Sequence, residues 1–144
     1  MTNVSIYILS AAVLLCFSCH SVSAPEQKDI VEKKELIDEH IENNIPKLIN
    51  YAADNKGRIN DTTVLHFLPV TSHYYSASDN KPIWSDDGKW MPYTSEFIRF
   101  IGNSLHYGLF PSDYHYQRIL NIQRRLNTDS AESKNAVSWS TADL

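Results

Sequence analysis

A block of turn-forming residues in the second half of the sequence constrains the fold more than any other feature. The segment Tyr107–Pro111 follows an apolar pattern at helical spacing, and Ser112–His115 precedes another such pattern. Glycine ends helices because it adopts the left-handed conformation without strain, while proline and a small polar residue favour a helix start. The block therefore predicts a helix-turn-helix in which Gly108 closes one helix and Ser112 caps the next, with Asp113 in its first turn.

Apolar residues recur at helical spacing over residues 29–43, 61–68, 94–107 and 130–144. Because proline removes a hydrogen bond from a helix interior, we expect a break at Asn43-Asn44 and a short second helix from Pro46. Pro69 is expected to end the helix at 61–68. The apolar face predicted for the helix beginning at Thr94 or Ser95 consists of Phe97, Ile98, Ile101, Leu105 and Leu109.

Two short aromatic stretches separated by turns interrupt the helical patterns. Tyr74-Tyr75 is followed by a turn-rich segment, then by Lys81-Pro82-Ile83-Trp84, and a second turn at Asp86-Asp87-Gly88 leads to Lys89-Trp90. We expect a mainly α, small helical domain carrying a short aromatic hairpin or extended ribbon. The last helical pattern shows no end signal, which predicts a domain that is incomplete at its C-terminus.

The first 24 residues predict an export leader. Val4 to Phe17 is an apolar run of 14 residues, which suits a signal peptide better than a membrane span of about 20 residues. A small residue precedes Cys19, as in a bacterial lipoprotein signal, so Cys19 is a candidate lipidation site; cleavage after Ala24 is the alternative. The predicted organisation is a leader at 1–24, a helical segment at 25–60 and a scaffold-like region at 61–144.

The sequence holds no pattern that indicates a reactive centre. The net charge of −4 with interspersed charges argues against a nucleic-acid partner, and the few glycines form no phosphate-binding loop. The histidines form no H-E-x-x-H motif, no G-x-S-x-G is present, and both cysteines lie in the leader. We expect no catalytic residue, no metal and no cofactor, and no catalysis by this chain alone.

Four motifs occur together in one order over about Leu65 to Leu144: Tyr74-Tyr75, Pro82-Ile83-Trp84, Tyr107-Gly108-Leu109-x-Pro111-x-Asp113-Tyr114-His115 and Ala142-Asp143-Leu144. This arrangement resembles the N-terminal scaffold region of the large periplasmic L,D-transpeptidases. Those enzymes cross-link the stem peptides of peptidoglycan with a cysteine in a downstream domain, marked by S-x-G-C-x-R. That catalytic motif is absent from this sequence.

The resemblance implies a non-catalytic scaffold, either a fragment or a separately encoded part of an envelope transpeptidase. Its partners would be a catalytic transpeptidase domain or peptidoglycan, and the membrane if Cys19 is acylated. It would be exported to the periplasm or anchored at the outer membrane of a Gram-negative-type envelope. The motif residues would serve as turn and packing positions: Tyr74, Tyr75, Pro82, Trp84, Tyr107, Gly108, Leu109, Pro111, Asp113, Tyr114 and His115.

An alternative function is a stand-alone envelope lipoprotein module that binds peptidoglycan or a protein partner. The aromatic cluster Tyr74, Tyr75, Trp84 and Trp90 would form its surface, since exposed aromatic side chains serve recognition. The same four side chains can instead fill the core of a small domain, which is the simpler interpretation.

Overall fold

The computed structural model describes residues 25 and 27–144, so the predicted leader and Cys19 lie outside the described residues. Within this part of the chain, five α-helices and one two-stranded hairpin confirm the mainly α prediction. The elements are α1 (Ile37–Asp54), α2 (Leu68–Ala77), β1 (Ser85–Asp86), β2 (Lys89–Trp90), α3 (Pro92–Gly102), α4 (Tyr116–Thr128) and α5 (Ala136–Asp143). Short 3-10 helices lie at Lys34–Leu36, Ser104–Tyr107, Pro111–Tyr114 and Glu132–Lys134.

Helix α5 lies at the centre of the helix packing. It packs against α1 and α4, while α2 packs on α1 and α3 packs on α4. The largest cluster of buried side chains combines Ile37, Ile41 and Ile45 of α1 with Tyr75 of α2 and Trp139 of α5. None of the helices in the described residues is both long enough and apolar enough to span a bilayer.

Helix α1 is continuous, so the predicted break at Asn43-Asn44 and restart at Pro46 were wrong. Ile41 and Ile45 before the proline are fully buried, and Leu48 after it is 3% exposed. Burying this apolar face along the whole helix offsets the hydrogen bond that Pro46 cannot donate. Tertiary packing, which the local pattern does not record, decides the outcome here.

The segment 61–68 is not the predicted helix. Asn60 Oδ1 accepts hydrogen bonds from the backbone N–H groups of Thr62 and Thr63, at 3.0 and 2.8 Å, and thereby holds a turn. An isolated bridge pairs Arg58 with Val64. Pro69 does not end a helix; it lies in the first turn of α2, where a missing N–H costs nothing.

The predicted hairpin is present, and its turn is the second of the two predicted turns, at Asp86-Asp87-Gly88. Ser85 pairs with Trp90 and Asp86 with Lys89, and the turn between them has positive φ at Asp87 (48°) and Gly88 (64°). Two positive φ values suit a tight two-residue hairpin turn. Tyr74 and Tyr75, expected in the ribbon, instead lie in α2.

The connection between α3 and α4 contains more turns than the predicted helix-turn-helix. Helix α3 ends at Gly102, and the 3-10 helix at Ser104–Tyr107 closes at Gly108 with φ of 73°. A second 3-10 helix, Pro111–Tyr114, separates this glycine from α4. The prediction that Ser112 caps the next α-helix was wrong, because α4 begins at Tyr116 after His115, which has φ of 55°.

Residues 29–31 join the N-terminal segment to the start of α5. The N–H of Ala136 donates to the carbonyl of Asp29, and the N–H of Val31 donates to the carbonyl of Lys134, both at 2.8 Å. The Asp29 carboxylate in turn accepts from the Asn44 amide of α1 at 2.7 Å. These bonds fix α1 and α5 against each other at one end of the core.

Two glycines with similar backbone conformation provide a test of this packing. A Cβ at Gly57 (φ 83°) would meet the carbonyl oxygen of Leu65 at 2.8 Å, whereas a Cβ at Gly108 (φ 73°) would meet nothing within 4 Å. Gly108→Ala should cost only the left-handed strain, about 1–2 kcal/mol. Gly57→Ala adds a backbone clash, so we expect a loss of about 3 kcal/mol or more. Urea unfolding of both variants measures the difference, and equal losses would contradict the close approach.

Candidate functional site

The carboxylate of Asp143, near the end of α5, joins three segments that are distant in sequence. Its Oδ1 accepts the hydroxyl hydrogen of Tyr75 at 2.5 Å and the backbone N–H of Ile83 at 2.9 Å. Its Oδ2 accepts the backbone N–H of Trp84 at 3.2 Å. The Tyr75 hydroxyl also lies 2.9 Å from the carbonyl oxygen of Asp143. One side chain therefore connects α5 to α2 and to the segment that enters the hairpin.

Burial controls the electrostatics of this site. Asp143 is 5% exposed and Tyr75 is 2% exposed. Burial raises the pKa of the Asp143 carboxyl, although the hydrogen bonds from Ile83, Tyr75 and Trp84 oppose the shift. Burial, together with the nearby Asp143, raises the pKa of the Tyr75 hydroxyl, so Tyr75 remains a proton donor. The arrangement is that of a structural network with its acceptors satisfied.

The four aromatic residues expected to form one cluster are divided between different surroundings. Tyr75 is buried, whereas Tyr74 is 47% exposed. The Trp84 ring stacks on Phe97 with centroids 4.9 Å apart. Trp90 instead packs on Trp139 of α5, with centroids 5.0 Å apart. The two tryptophans therefore pack against different partners, and Tyr75 is a core residue. The four side chains do not form one surface cluster.

An exposed aromatic row runs along α3 and into the following turn. We define it as Trp84, Phe97, Phe100 and Tyr107, whose ring centroids are 4.9, 6.5 and 5.4 Å apart in succession. Phe97, Phe100 and Tyr107 are 44, 48 and 67% exposed. The sequence pattern placed Phe97 on the buried face, but only Ile98 and Ile101 of that face are buried. Helical spacing predicted the stripe but not which side chains a neighbouring element covers.

The turn block places its motif residues mainly at the surface. The N–H of Leu109 donates to the carbonyl of Ser104 at 3.2 Å, and Pro111 opens the next 3-10 helix. Asp113 lies in that short helix and is exposed, while Tyr114 is 43% exposed. The His115 ring stacks on His66, with centroids 5.3 Å apart and planes at 11°. Pro82, immediately before the segment that binds Asp143, is half-buried.

A groove of about 290 Å³ lies beside this network. Its walls come from the segment 63–67, from α3, from the start of α4 and from the end of α5. Trp84, Phe97, Ile98 and Ile101 contribute apolar surface, and Arg118 and the two stacked histidines contribute polar groups. Arg118 is half-buried, and its Nη1 donates to Thr63 Oγ1 at 2.7 Å.

Three carboxylates at the hairpin turn and the start of α1 also lie together. Oxygens of Asp38, Asp86 and Asp87 are within 4.8 Å of one another. Burial raises the pKa of the Asp38 carboxyl, to which the charges of Asp86 and Asp87 add. Asp38 Oδ2 accepts the N–H of Asp87 at 3.0 Å, so the group holds the hairpin turn against α1. Asp86 and Asp87 are exposed turn residues, and the turn itself explains their positions.

Within residues 25 and 27–144, no serine or threonine hydroxyl is hydrogen-bonded to a histidine ring, and the range contains no cysteine.

Comparison with known families gave one match. A profile described as "Scaffold domain" matches residues 69–144, which is more than half of the 144-residue chain. The chain belongs to the Scaffold domain family. No curated protein and no solved structure matched the sequence. The coarser part of the resemblance, a scaffold domain over this region, is therefore confirmed.

The matched span contains the whole Asp143 network. Its span begins in the first turn of α2 and ends just after α5. Tyr75, the Pro82–Trp84 stretch and Asp143 all lie inside it, and the structure brings them to one carboxylate. In the sequence these residues belong to separate motifs. In the fold they are joined by hydrogen bonds to the Asp143 carboxylate.

The scaffold domain should lose stability when the Tyr75 hydroxyl is removed. Tyr75→Phe keeps the buried ring but takes away the donor to Asp143 Oδ1, which should cost about 1–3 kcal/mol because a buried acceptor loses a partner. Tyr74→Phe is the matched control, since Tyr74 is 47% exposed, and should change the unfolding free energy by less than about 0.5 kcal/mol. Equal effects in chemical denaturation would show that the network adds nothing.

Asp143 should also give the scaffold domain a specific pH dependence. Its folded pKa is raised above the ordinary value of 3.8, so the folded state binds the proton more tightly than the unfolded state. The stability contributed by Asp143 is therefore greatest at low pH and falls as pH rises from 3.8 through the raised folded value.

The Asp143→Asn side chain does not titrate, so its contribution to the unfolding free energy no longer changes with pH. Its NH2 group also replaces the oxygen that accepts from the Trp84 N–H. The variant should be less stable than the wild type, and the difference should shrink as pH rises through this window. Denaturation at a series of pH values measures this difference, and a difference independent of pH would contradict it. Asp38→Asn is the comparison, because burial raises the pKa of Asp38 as well.

Proposed function

We propose that this scaffold domain is a non-catalytic part of an envelope L,D-transpeptidase that acts in peptidoglycan cross-linking and cell-wall biogenesis. The observation that carries the proposal is that Tyr75, Ile83 and Trp84 all donate hydrogen bonds to the buried carboxylate of Asp143. The motifs that resemble the transpeptidase scaffold region thus coincide with the interactions that hold this fold together. Their role would be to maintain the shape of a surface for a partner.

The aromatic row is the surface we propose for the catalytic transpeptidase domain. Three of its rings are 44 to 67% exposed, and Leu105, between Phe100 and Tyr107 in sequence, is 60% exposed. Contiguous exposed apolar surface is uncommon in monomeric proteins, and aromatic residues are enriched at protein interfaces. A rigid support behind the row suits this role, because Trp84 is fixed by its N–H bond to Asp143.

The proposed location follows from the leader. Residues 1–24 would direct export, and acylation of Cys19 would anchor the chain to a membrane of the envelope. The polar residues from Ser21 to Lys28 would then act as a tether between the lipid and the domain. Cleavage after Ala24 would instead release the protein into the periplasm.

A second candidate function is binding of peptidoglycan itself by a stand-alone module. The observation that favours it is again the exposed aromatic row, because flat exposed rings present apolar faces to an extended strand. The surface differs from the quartet suggested by the sequence: Tyr75 is buried and Trp90 packs on Trp139.

One binding experiment distinguishes the two functions. The full chain is mixed with a purified catalytic domain that carries the S-x-G-C-x-R motif and, separately, with purified peptidoglycan, and bound protein is quantified. Phe100→Ser/Tyr107→Ser removes two exposed rings of the row, and Tyr74→Ser is the control with an exposed ring on α2. We expect binding to the catalytic domain that falls at least about tenfold in the double variant, because interface aromatics commonly contribute more than about 1 kcal/mol each.

The control should bind like the wild type. Retention by peptidoglycan alone, with the same dependence on Phe100 and Tyr107, would replace the first function with the second. Binding to neither material would refute both.

A further inference from the structure

The groove beside the Asp143 network combines an apolar wall with a cation that has no charged partner among the described residues. Its volume, about 290 Å³, is close to the lower end of the range for ligand pockets, roughly 300–1,000 Å³. Ile98 and Ile101 of α3, with Trp84 and Phe97, supply apolar lining. Such a space suits one large apolar side chain.

Arg118 is the cation. It is half-buried on α4, and its Nη1 donates to the hydroxyl of Thr63 at 2.7 Å. Within the described part of the chain, the ion pairs are His40 with Asp29, Arg125 with Glu132 and Lys134 with Glu32, and none involves Arg118. A hydroxyl orients a guanidinium but does not neutralise it, and a partly desolvated unpaired charge is unfavourable. Four of its five N–H donors remain for an anion.

Two contacts assemble the polar end of the groove around this arginine. Arg118 bonds to Thr63, and His115 stacks on His66, so both contacts join the segment 63–67 to the start of α4. Asp113 also lines the groove and is exposed, with Oδ1 3.4 Å from the Ser112 hydroxyl. The groove thus has an arginine and two imidazole rings at one end, one exposed carboxylate nearby, and apolar side chains along α3.

We propose that this groove captures the C-terminal end of a peptide whose last residue is apolar, with the terminal carboxylate on Arg118 and the side chain against Ile98 and Ile101. A chain end is favoured because it carries a carboxylate and an apolar side chain within one residue, which matches a groove of this size. Guanidinium groups bind carboxylates through paired, charge-assisted hydrogen bonds, and here Thr63 pre-orients the guanidinium. The groove shares Trp84 and Phe97 with the aromatic row, but Phe100 and Tyr107, the residues changed in the partner test, do not line it.

The test uses two probes that differ only in charge: N-acetyl-Ala-Phe with a free carboxylate and the same dipeptide as its C-terminal amide. Each is titrated into the full chain and followed by tryptophan fluorescence, since Trp84 lines the groove. We expect saturable binding of the acid and at least about tenfold weaker binding of the amide, because the charge-assisted bonds are lost.

Substitutions then assign the difference to Arg118. Arg118→Gln should remove the preference for the acid, whereas Arg124→Gln, an exposed arginine on the same helix, should retain it. Asp113→Asn should retain or strengthen acid binding, since it removes the nearby like charge. Acetate should compete only weakly because it lacks the apolar side chain.

Equal binding of the acid and the amide to the wild-type chain would overturn the proposal, as would no binding of either probe or full competition by acetate. These outcomes do not depend on whether any variant folds. Failure here leaves the test with the catalytic domain unaffected, because that test changes Phe100 and Tyr107, which do not line the groove.

Discussion

The hydrogen bonds to the buried carboxylate of Asp143 hold α5, α2 and the segment that enters the hairpin together. Through its two oxygens it receives a side-chain hydroxyl from α2 and two backbone N–H groups from the segment that enters the hairpin. Without this acceptor, the N–H groups of Ile83 and Trp84 would lose their partner close to the core, where an unsatisfied donor is costly. Thr94 continues the same connection, because its hydroxyl donates to the carbonyl of Trp84 at 2.7 Å and so joins the hairpin segment to α3.

Aromatic side chains lie on both sides of this network, buried on one side and exposed on the other. On the inner side, Tyr75 and Trp139 complete the core around α1 and α5, and the Trp139 indole N–H donates to the carbonyl of Ser133 at 3.0 Å. On the outer side, Trp84 begins an exposed row that continues through Phe97 and Phe100. For the proposed partner, rings that are already held in place would lose less side-chain entropy on binding. The groove containing Arg118 lies beside the row and shares Trp84 and Phe97 with it.

Much of the helical architecture could be predicted from local patterns, and two of the failures have different physical causes. The helical spacing over residues 29–43, which includes Ile37 and Ile41, predicted a buried helix face, and both side chains are buried. The pattern at 61–68 also had helical spacing, yet Asn60 holds a turn there by bonding to two backbone N–H groups. Pro46 was expected to break α1 and does not, because the buried residues on both sides stabilise the helix through it. At Pro46 the deciding contacts come from other elements, whereas at 61–68 a local side-chain acceptor, Asn60, competes with the helix.

Local backbone preferences and residue order were sufficient to predict the mainly α class, the tight turn at Asp87-Gly88, the helix-ending glycine at Gly108 and the scaffold motifs. The tertiary structure alone decided which aromatic residues are interior and which are exposed, and that Tyr75, Trp84 and Asp143 meet. It also revealed Arg118 as a half-buried cation beside an apolar wall. The physical reason is that burial and hydrogen-bond partnership are properties of packed elements: Tyr75 and Asp143 are 68 residues apart, and no local pattern specifies that they touch.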